Sequence, residues 1–397
     1  MTQCERTCLL PAMALLPLLA ACTNAPPWTG SVATRDGIEV IANPDAPLLG
    51  EARGLVSEQW ALQGPTWENP SVVHAAAGLV VVVDPPADRL HLVSRSGELR
   101  KSLGRSGEGP GEFRDLRDAV LDGDRLVVFD RGRRAIEYLS LDGDYLSSLP
   151  IDGSPWGGIL LPTGDLLVRG DFRTDPREST LGTWIRIANG RAPAPFTPPP
   201  LEPLPEEQGV ECADLSSWGD RVARLRRTTP WIEVLDTTGS IQREITIDLP
   251  VEAVSDAERE RALDELRRRL AGSGVPPEFQ QQNVAVMEQR WRVKCRFGPL
   301  RYDPAGRIGA LLEQNPDQFG SGPATLHLLS EDGVYLARLP FHVAWRDFTL
   351  DGGVVYALTR DPATDLVTLR AYRLDLPPSL ITDAGRVLDA ARERVEE

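Results

Sequence analysis

Short apolar stretches separated by glycine-containing turns recur along most of the chain. Each repeat begins with alternating or continuous apolar residues, continues through a turn with glycine at one fixed position, and ends in a second apolar stretch, as expected of two β-strands. Asp-Gly and Thr-Gly pairs at these turns are typical of hairpins. Four copies align: Leu90–Leu103 (LHLVSRSGELRKSL), Ile136–Leu149 (IEYLSLDGDYLSSL), Ile232–Ile245 (IEVLDTTGSIQREI) and Leu326–Leu339 (LHLLSEDGVYLARL).

The spacing of the repeats indicates their architecture. The turn glycines are Gly97, Gly143, Gly239 and Gly333, at intervals of 46, 96 and 94 residues. A weaker copy, WIRIANG at 184–190, divides the second interval. A further hairpin precedes the better copies, as in AVLDGDRLVVFD at 119–130, so each unit holds four antiparallel strands. Four-stranded units repeating every forty to fifty residues are typical of β-propeller blades.

The pattern predicts an all-β protein, a six-bladed β-propeller. Its last blade has only three clear strands, and we expect residues 59–63 to supply the fourth and so remove a free sheet edge. The predicted blades are 71–103, 118–149, 158–197, 210–247, 298–339 and 345–374. The predicted organisation is a signal peptide at 1–21, a tether and N-terminal segment at 22–54, the propeller at 55–376 with an insertion at about 251–293, and a partly helical tail at 377–397.

The glycine-rich stretch GRSGEGPGEF (104–113) is either a phosphate-binding loop or a connection between two parts of the fold. A phosphate loop opens a helix whose first backbone N–H groups bind the anion. Here Pro110 and Gly111 interrupt, and the following residues return to a strand–turn–strand pattern. We therefore predict that the stretch crosses from the outer strand of blade one to the inner strand of blade two.

This strand–GRSGEGPGEF–strand layout, followed by an Asp…Arg pair at a hairpin, resembles NHL-repeat and related six-bladed propellers, a layout shared by many bacterial lipoproteins of unknown function. Asp84 with Arg89 matches the spacing of that pair, and Asp130 with Arg134 is one residue short. The resemblance covers most of 59–375, but blades three to six have lost most of the motif. The pair is either a binding feature or an ion pair that braces a blade hairpin.

The N-terminus predicts export and lipidation. The apolar run from Cys8 to Ala21 is too short to span a bilayer and is typical of a signal peptide. Residues 19–22 (LAAC) resemble the lipobox of bacterial lipoproteins, which implies an acylated Cys22, a membrane anchor, and a location at the outer membrane or cell envelope. The alternative is an ordinary secretory signal. A polar tether, TNAPPWTG, follows.

Two cysteines remain after the signal and the lipidation site. Cys212 and Cys295 form an even pair in an oxidising compartment, so they are either a disulfide or two buried thiols. The formal net charge of −15 argues against nucleic-acid binding, and we expect a monomer.

Residues 254–293 break the β pattern and predict a helical hairpin. Ser255 to Glu258 is a capping-box sequence, and leucines at 263, 266 and 270 follow at helical spacing. Pro276 and Pro277 open a second helix, with Phe279, Met287 and Trp291 on one face. The hairpin is either a lid over apolar surface or a flap that contacts a ligand or partner.

Motifs for catalysis are absent from the sequence. The four histidines have no zinc-ligand spacing, and there is no GxSxG, phosphate-loop or EF-hand motif. We therefore expect no catalytic residue, no metal ligand and no cofactor. Corner acids such as Asp118, Asp122 and Asp124 either accept turn hydrogen bonds or line the central channel.

If a ligand binds, the sequence places it on the face shared by the loops between blades and the loops inside each blade's central hairpin. An arginine-rich rim there would suit an anion, and its alternative is a merely solvated surface. The rim candidates are Arg105, Glu112, Arg114, Asp130, Arg131, Arg133 and Arg134. The predicted function is binding or scaffolding of an envelope protein, peptide or glycan. The alternative is a lactonase-like hydrolase or lyase with calcium or zinc in the central channel.

Overall fold

Six antiparallel sheets form a β-propeller, which confirms the predicted fold class. The computed structural model describes residues 28–50, 54–64, 66–76, 78–172, 183–188, 192–200, 213–271, 276–290, 294–314, 323–361 and 363–396. The predicted signal peptide, Cys22 and Cys212 lie outside the described residues. Among the described residues, no helix is long and apolar enough to cross a membrane.

Each blade is a meander of four strands, the first of which lies nearest the propeller axis. Blade one holds β4 (Val72–Ala76), β5 (Leu79–Asp84), β6 (Arg89–Ser94) and β7 (Leu99–Leu103). Blade two holds β8 (Leu116–Asp122), β9 (Arg125–Asp130), β10 (Ala135–Ser140) and β11 (Tyr145–Pro150). Blade three holds β12 (Ser154–Leu160), β13 (Leu166–Asp171), β14 (Thr183–Ile187) and β15 (Ala194–Pro195).

The second half of the ring repeats this order. Blade four holds β16 (Ala213–Trp218), β17 (Arg221–Arg226), β18 (Trp231–Leu235) and β19 (Ile241–Ile247). Blade five holds β20 (Phe297–Asp303), β21 (Ile308–Gln314), β22 (Ala324–Ser330) and β23 (Tyr335–Pro340). Blade six holds β24 (Trp345–Asp351), β25 (Val354–Arg360) and β26 (Val367–Leu374).

An N-terminal strand completes blade six. The strand β3 (Val56–Leu62) pairs antiparallel with β26, with Trp60 opposite Ala371. The Trp60 indole also donates a hydrogen bond to the Arg95 carbonyl of blade one, at 2.8 Å. Chain start and chain end are thereby joined in one sheet, as the repeat pattern predicted.

The repeat glycines have a second role besides the turn. All four have positive φ, between 83° and 98°, a region that glycine enters without steric cost. A Cβ on Gly97 would lie 2.6 Å from Trp60, and one on Gly143 would lie 2.5 Å from Leu103. Trp60 and Leu103 both belong to the outer strand of the preceding blade, so the glycine turn packs directly against that blade.

The N-terminal segment is more ordered than the predicted tether. Its strands β1 (Ser31–Arg35) and β2 (Ile38–Asn43) form a hairpin, and β2 runs parallel to β19, so the sheet of blade four has six strands. Trp28, which the sequence placed in the tether, is buried and donates its indole N–H to Asn43 at 3.2 Å. The prediction of a polar tether through Gly30 is therefore wrong from Trp28 onward.

The C-terminal tail ends in the helix α3 (Leu380–Glu396), which packs against β1. Leu380, Ala384, Leu388 and Ala391 are buried and recur at helical spacing. Glu39 of β2 accepts hydrogen bonds from Arg392 of α3 at 2.8 Å and from Arg243 of β19 at 2.6 Å. This carboxylate therefore ties the N-terminal hairpin to both the tail and the propeller.

The insertion is the predicted helical hairpin, made of α1 (Asp256–Ala271) and α2 (Pro277–Arg290). The capping box is present: the Ser255 N–H donates to the Glu258 carboxylate at 2.8 Å, and the Glu258 N–H donates to Ser255 Oγ at 3.3 Å. Lys294 also donates to Glu258, at 2.9 Å. Leu263 is buried and Phe279 is exposed, while the side chains of Met287 and Trp291 lie outside the described residues.

Charged side chains join the hairpin to blade five. Arg296 bonds both to Glu252, before α1, and to Glu313 of β21. Cys295, beside it, takes part in a disulfide. Because Cys212 lies outside the described residues, its pairing with Cys295 stays a prediction.

The GRSGEGPGEF stretch runs from β7 to β8, so it is the crossing between blades one and two. Phe113 is fully buried in the core that these blades share, and Ser106 Oγ donates to Asp88 at 2.5 Å. Asp88 ends the loop between β5 and β6. Loops between blades and loops within blades therefore share one face of the propeller.

Candidate functional site

The first strands of the blades surround a central cavity of about 680 Å³. Its wall includes residues from all six of these strands, because alternate side chains of a strand point to one side. A cavity of this size lies within the range of small-molecule sites in proteins, about 300–1,000 Å³. This cavity is therefore the candidate site.

Three carboxylates in the wall occupy equivalent positions. In each blade the acid lies four residues before the last residue of the first strand that pairs with the second strand. These last pairs are Asp122 with Arg125 for Asp118, Trp218 with Arg221 for Asp214, and Asp351 with Val354 for Asp347. They belong to blades two, four and six. The wall therefore carries acids from alternate blades at one level.

Each of these acids faces a basic side chain from the preceding blade. The pairs are His74–Asp118 at 2.8 Å, Arg169–Asp214 at 3.9 Å and Arg301–Asp347 at 2.7 Å. The two arginines neutralise carboxylate charge that would otherwise repel across the cavity. Among the described residues, no three His, Cys, Asp or Glu side chains are grouped so as to hold a metal ion.

Two of the acids also join neighbouring blades through the backbone. Asp118 Oδ2 accepts the Gly158 N–H of blade three at 3.2 Å, and Asp347 Oδ2 accepts the Val73 N–H of blade one at 3.0 Å. Burial raises the pKa of Asp347, and the nearby Arg301 charge opposes that rise. These acids therefore hold the cavity wall rigid as well as lining it.

Aromatic side chains line another part of the wall. Trp156, Trp184 and Tyr302 contribute, and the Arg169 guanidinium lies 6.0 Å from the Trp156 ring centroid. Trp156 is the extra residue of a bulge in β12, between Pro155 and Gly157. Bulges re-aim side chains and are frequent next to functional sites.

The predicted rim arginines have partners within the protein. Arg133 donates to Glu137 at 2.7 Å and to the Gly109 carbonyl at 2.8 Å, so it bridges two loops. The other pairs are Arg105–Glu112 at 2.5 Å, Arg131–Asp115 at 2.5 Å, Arg134–Asp152 at 3.4 Å, and Arg114 with Glu108. These contacts brace the loops, so a ligand at the rim would have to compete with them.

Two further rim candidates are also engaged locally. Glu112 accepts the Gly109 N–H at 2.7 Å, and this bond together with Arg105 lowers the pKa of its carboxyl. Asp130 is fully buried and accepts N–H bonds from Arg114 at 2.9 Å and Arg133 at 3.0 Å. Both acids hold the loops of blade two in shape.

The Asp…Arg pair of the family resemblance has a backbone role here. Asp84 accepts the N–H groups of Glu68 at 2.7 Å and Asn69 at 3.0 Å, and its charged neighbour is His91 at 3.8 Å. Asp130 lies 3.6 Å from Arg133, whereas Arg134 donates to the Gly153 carbonyl. The expectation of an Asp–Arg ion pair at these spacings is therefore wrong; the acids cap backbone N–H groups.

The histidines are dispersed. His327 is buried between the Tyr335 hydroxyl and Glu313, each at 2.7 Å, and burial lowers its pKa to about 3. His91 is likewise buried in its blade. Of the histidines, His74 lines the cavity.

Most of the cavity residues escaped prediction from the sequence. Asp118 was one of several corner acids, while Asp214, Asp347 and Arg301 were not candidates. A signal did exist: in blades two, four and six an acid stands four residues before the hairpin pair. It becomes visible only after the blades are aligned by their hairpins.

Comparisons with known proteins support the fold. No protein-family model matches the sequence, and the curated proteins give no match. A member of the DUF4221 family from Bacteroides vulgatus is similar in structure, with a TM-score of 0.53, 9% identity, and coverage of 80% of this chain and 97% of that chain. A protein of Bacteroides fragilis described as exported has a TM-score of 0.50, 11% identity, and coverage of 84% and 99%.

A structure described as a gluconolactonase has 15% identity, a TM-score of 0.46, and coverage of 81% of this chain and 93% of that chain. At such identities the likenesses to the two Bacteroides proteins bear on the fold alone, and activity has to be argued from the site.

Proposed function

We propose that the chain is an exported, lipid-anchored propeller that binds a peptide, a glycan or another small envelope molecule in its central cavity. The observation that carries this proposal is the cavity of about 680 Å³ at the meeting point of six first strands. Its wall combines aromatic surface with hydrogen-bonding groups, a composition typical of ligand sites.

Paired charges favour binding over scaffolding alone. The three wall pairs, with the backbone contacts of Asp118 and Asp347, fix the positions of the polar groups before any ligand arrives. A preformed site loses less conformational entropy on binding than a mobile one. The rim arginines, whose side chains are engaged in loop contacts, are less suited to this role.

The cavity can be tested by filling it. Val72 lines the cavity, so Val72→Trp reduces the space for a ligand, whereas Val251→Trp makes the same change at an exposed position. We expect native mass spectrometry to detect a small molecule from envelope extract bound to the wild type and to Val251→Trp. Val72→Trp, folded by circular dichroism, should lose it. Equal retention by both variants, or no bound molecule on the wild type, would contradict cavity binding.

The anchor rests on the LAAC sequence at 19–22. Acylation of Cys22 would hold the propeller at a membrane surface without a spanning segment. Cys22→Ser should release the protein from the membrane fraction, while Cys8→Ser, inside the predicted signal peptide, should leave it there. Retention of the Cys22→Ser protein in membranes would refute the anchor.

A hydrolase or lyase with calcium or zinc in the channel remains the second candidate. Its supporting observation is the set of three equivalent acids in the wall. In the observed arrangement each acid already has a histidine or arginine partner, so metal binding would require these pairs to open. Calorimetric titration of calcium and zinc tests it: saturable binding lost in Asp118→Asn would favour this candidate.

A further inference from the structure

One charge pair of the cavity wall is looser than the other two. Arg169 and Asp214 lie 3.9 Å apart, whereas the side chains of the other two wall pairs lie 2.8 Å and 2.7 Å apart. The Asp214 side chain is 28% exposed, against 13% and 7% for the acids of the other two pairs. The pair between blades three and four is therefore the most accessible of the three.

This pair also keeps hydrogen-bonding capacity for a ligand. A separation of 3.9 Å is too long for a direct hydrogen bond between Arg169 and Asp214. Among the described residues, no hydrogen bond holds the Arg169 guanidinium, and the Asp214 carboxylate accepts one, from the Leu215 N–H at 3.0 Å. Because a guanidinium has five N–H donors and a carboxylate has several lone pairs, both donors and acceptors are left over.

Two tryptophans of blade three flank Arg169. Arg169 lies on β13 directly opposite Trp184 of β14, and residues opposite each other in this way have side chains on one face with Cβ atoms about 5 Å apart. Towards β12, the Arg169 guanidinium lies 6.0 Å from the ring centroid of Trp156, the bulge residue. All three residues line the cavity, as does Asp214. Two indoles and a guanidinium therefore form a row across blade three, with a carboxylate of blade four beside it.

The polar part of this row suits a hydroxyl group. A hydroxyl both donates and accepts hydrogen bonds, so a single oxygen can accept from Arg169 and donate to Asp214. Two hydrogen bonds of about 2.8 Å would span the 3.9 Å gap with an angle of about 90° at that oxygen. An acidic group bound to Arg169 would instead approach the Asp214 carboxylate, and a cationic group bound to Asp214 would approach the guanidinium. The pair therefore disfavours a charged group at this position.

The apolar part of the row suits a sugar ring. A pyranose ring presents C–H groups on its faces, which pack on an indole, and hydroxyls around its edge. Indole rings supply a large apolar surface for such packing. A peptide backbone carries its donor and its acceptor on different atoms and offers no comparable ring face, so it matches the row less well.

We infer that the cavity binds a glycan through an uncharged sugar unit, which packs on the row of Trp156 and Trp184 and bridges Arg169 and Asp214 with a hydroxyl. The inference rests on the proposed function and narrows its ligand from a peptide, a glycan or another small molecule to a glycan. The remaining units of the glycan occupy the rest of the cavity.

The test uses the full chain and three uncharged tetrasaccharides: maltotetraose, cellotetraose and the β-1,4-linked tetramer of N-acetylglucosamine. Calorimetric titration should show saturable binding of at least one of them, weakened about tenfold or more by Trp156→Ala and by Arg169→Met. Trp156→Phe keeps a ring for packing and should weaken binding less than Trp156→Ala. Tyr145→Ala removes an exposed aromatic side chain outside the cavity and should leave binding unchanged. Because the ligand is uncharged, added sodium chloride should not weaken binding.

Several outcomes would overturn the inference. They are no saturable binding of any of the three saccharides, full binding in both Trp156→Ala and Arg169→Met, equal loss in Tyr145→Ala, or binding that salt abolishes. Melting temperatures separate lost binding from lost folding, and if Trp156→Ala does not fold, Trp156→Phe and Arg169→Met decide. If the saccharides do not bind and native mass spectrometry finds a peptide from envelope extract in the cavity, the proposed function stands and the glycan fails. If the wild type binds nothing at all, both fail.

Discussion

Single glycines hold neighbouring blades together. Gly143 has φ of 83°, and a Cβ there would approach Leu103 to 2.5 Å. Gly123 has φ of 61° but no atom within 4 Å of an added Cβ. An alanine at either position would have a strained backbone, but only an alanine at 143 would also collide with a neighbouring side chain.

We predict that Gly143→Ala destabilises the protein more than Gly123→Ala. The left-handed backbone alone costs an alanine about 1–2 kcal/mol. Overlap with Leu103 should bring the cost of Gly143→Ala to about 2–3 kcal/mol. Urea unfolding measures both values. Equal destabilisation would show that the glycine turn contributes nothing to blade packing.

Asn43 shows why some residues could not be predicted. Its side chain accepts from the Trp28 indole and the Tyr335 N–H, and donates to the carbonyls of Thr246 and Gly333. Three of the partners lie more than two hundred residues away in sequence. A local pattern therefore marks Asn43 only as a polar residue at a strand end.

The N-terminal hairpin and α3 form a layer on the outside of blade four. The hairpin of β1 and β2 was not predicted, because residues 22–54 were assigned to a tether and N-terminal segment. The edge on which it docks is β19, some two hundred residues further on in the chain. The crossing at 104–113 was predictable because its glycines and its flanking strands are adjacent in the chain. Of these two elements, the one predicted was the one whose contacts are local.

We predict that Glu39 makes the stability of this layer dependent on pH. Burial by itself would raise the pKa of Glu39, but hydrogen bonds and charges from Arg392 and Arg243 outweigh burial and lower the pKa below 4.5. An acid whose pKa is lowered by folding stabilises the protein above its unfolded pKa, and that contribution disappears as pH falls through the folded value.

Glu39→Gln should therefore lower the free energy of unfolding by about 1–2 kcal/mol at pH 7. Below about pH 4.5 the stability of the variant should fall less steeply with pH than that of the wild type. The exposed Glu98→Gln serves as control. Unfolding in urea between pH 3 and pH 7 gives both curves. Parallel curves for wild type and Glu39→Gln would mean that the carboxylate does not couple the layer to pH.

Ring closure joins the ends of the chain at the scale of the whole molecule. Trp60 of β3 lies against Tyr356 of blade six, at 5.9 Å between ring centroids, and bonds to the Arg95 carbonyl of blade one. A propeller closed in this way leaves no free sheet edge between its first and last blades.

We predict that Trp60→Ala destabilises both paired strands of the closure, β3 and β26. Loss of a partly buried indole should cost about 2–3 kcal/mol and speed amide exchange in both β3 and β26. Tyr145→Ala, on the exposed outer strand of blade two, should change neither. Faster exchange in β3 alone would show that β26 is held independently of the closure.

The propeller was predictable as a whole because its hairpin repeats are periodic, whereas the cavity was not. Each first strand contributes only a few side chains to the wall, and the paired residues come from different blades, as with Arg301 and Asp347. The sequence therefore directed attention to the arginine-rich loops of blade two, whose charges are internally paired. Charge density along the chain does not reveal which charges are paired within the fold.

The central claim is that the ligand lies in the cavity, and not at the rim or on the helical hairpin. Hydroxyl-radical footprinting of the whole protein, with and without envelope extract, tests it most directly. We predict protection of Trp156, Trp184 and Tyr302, which line the cavity, and none at Tyr145 or Phe279, which are exposed elsewhere. Protection of Phe279 or Tyr145 with the cavity aromatics unchanged, or no protection at all, would contradict it.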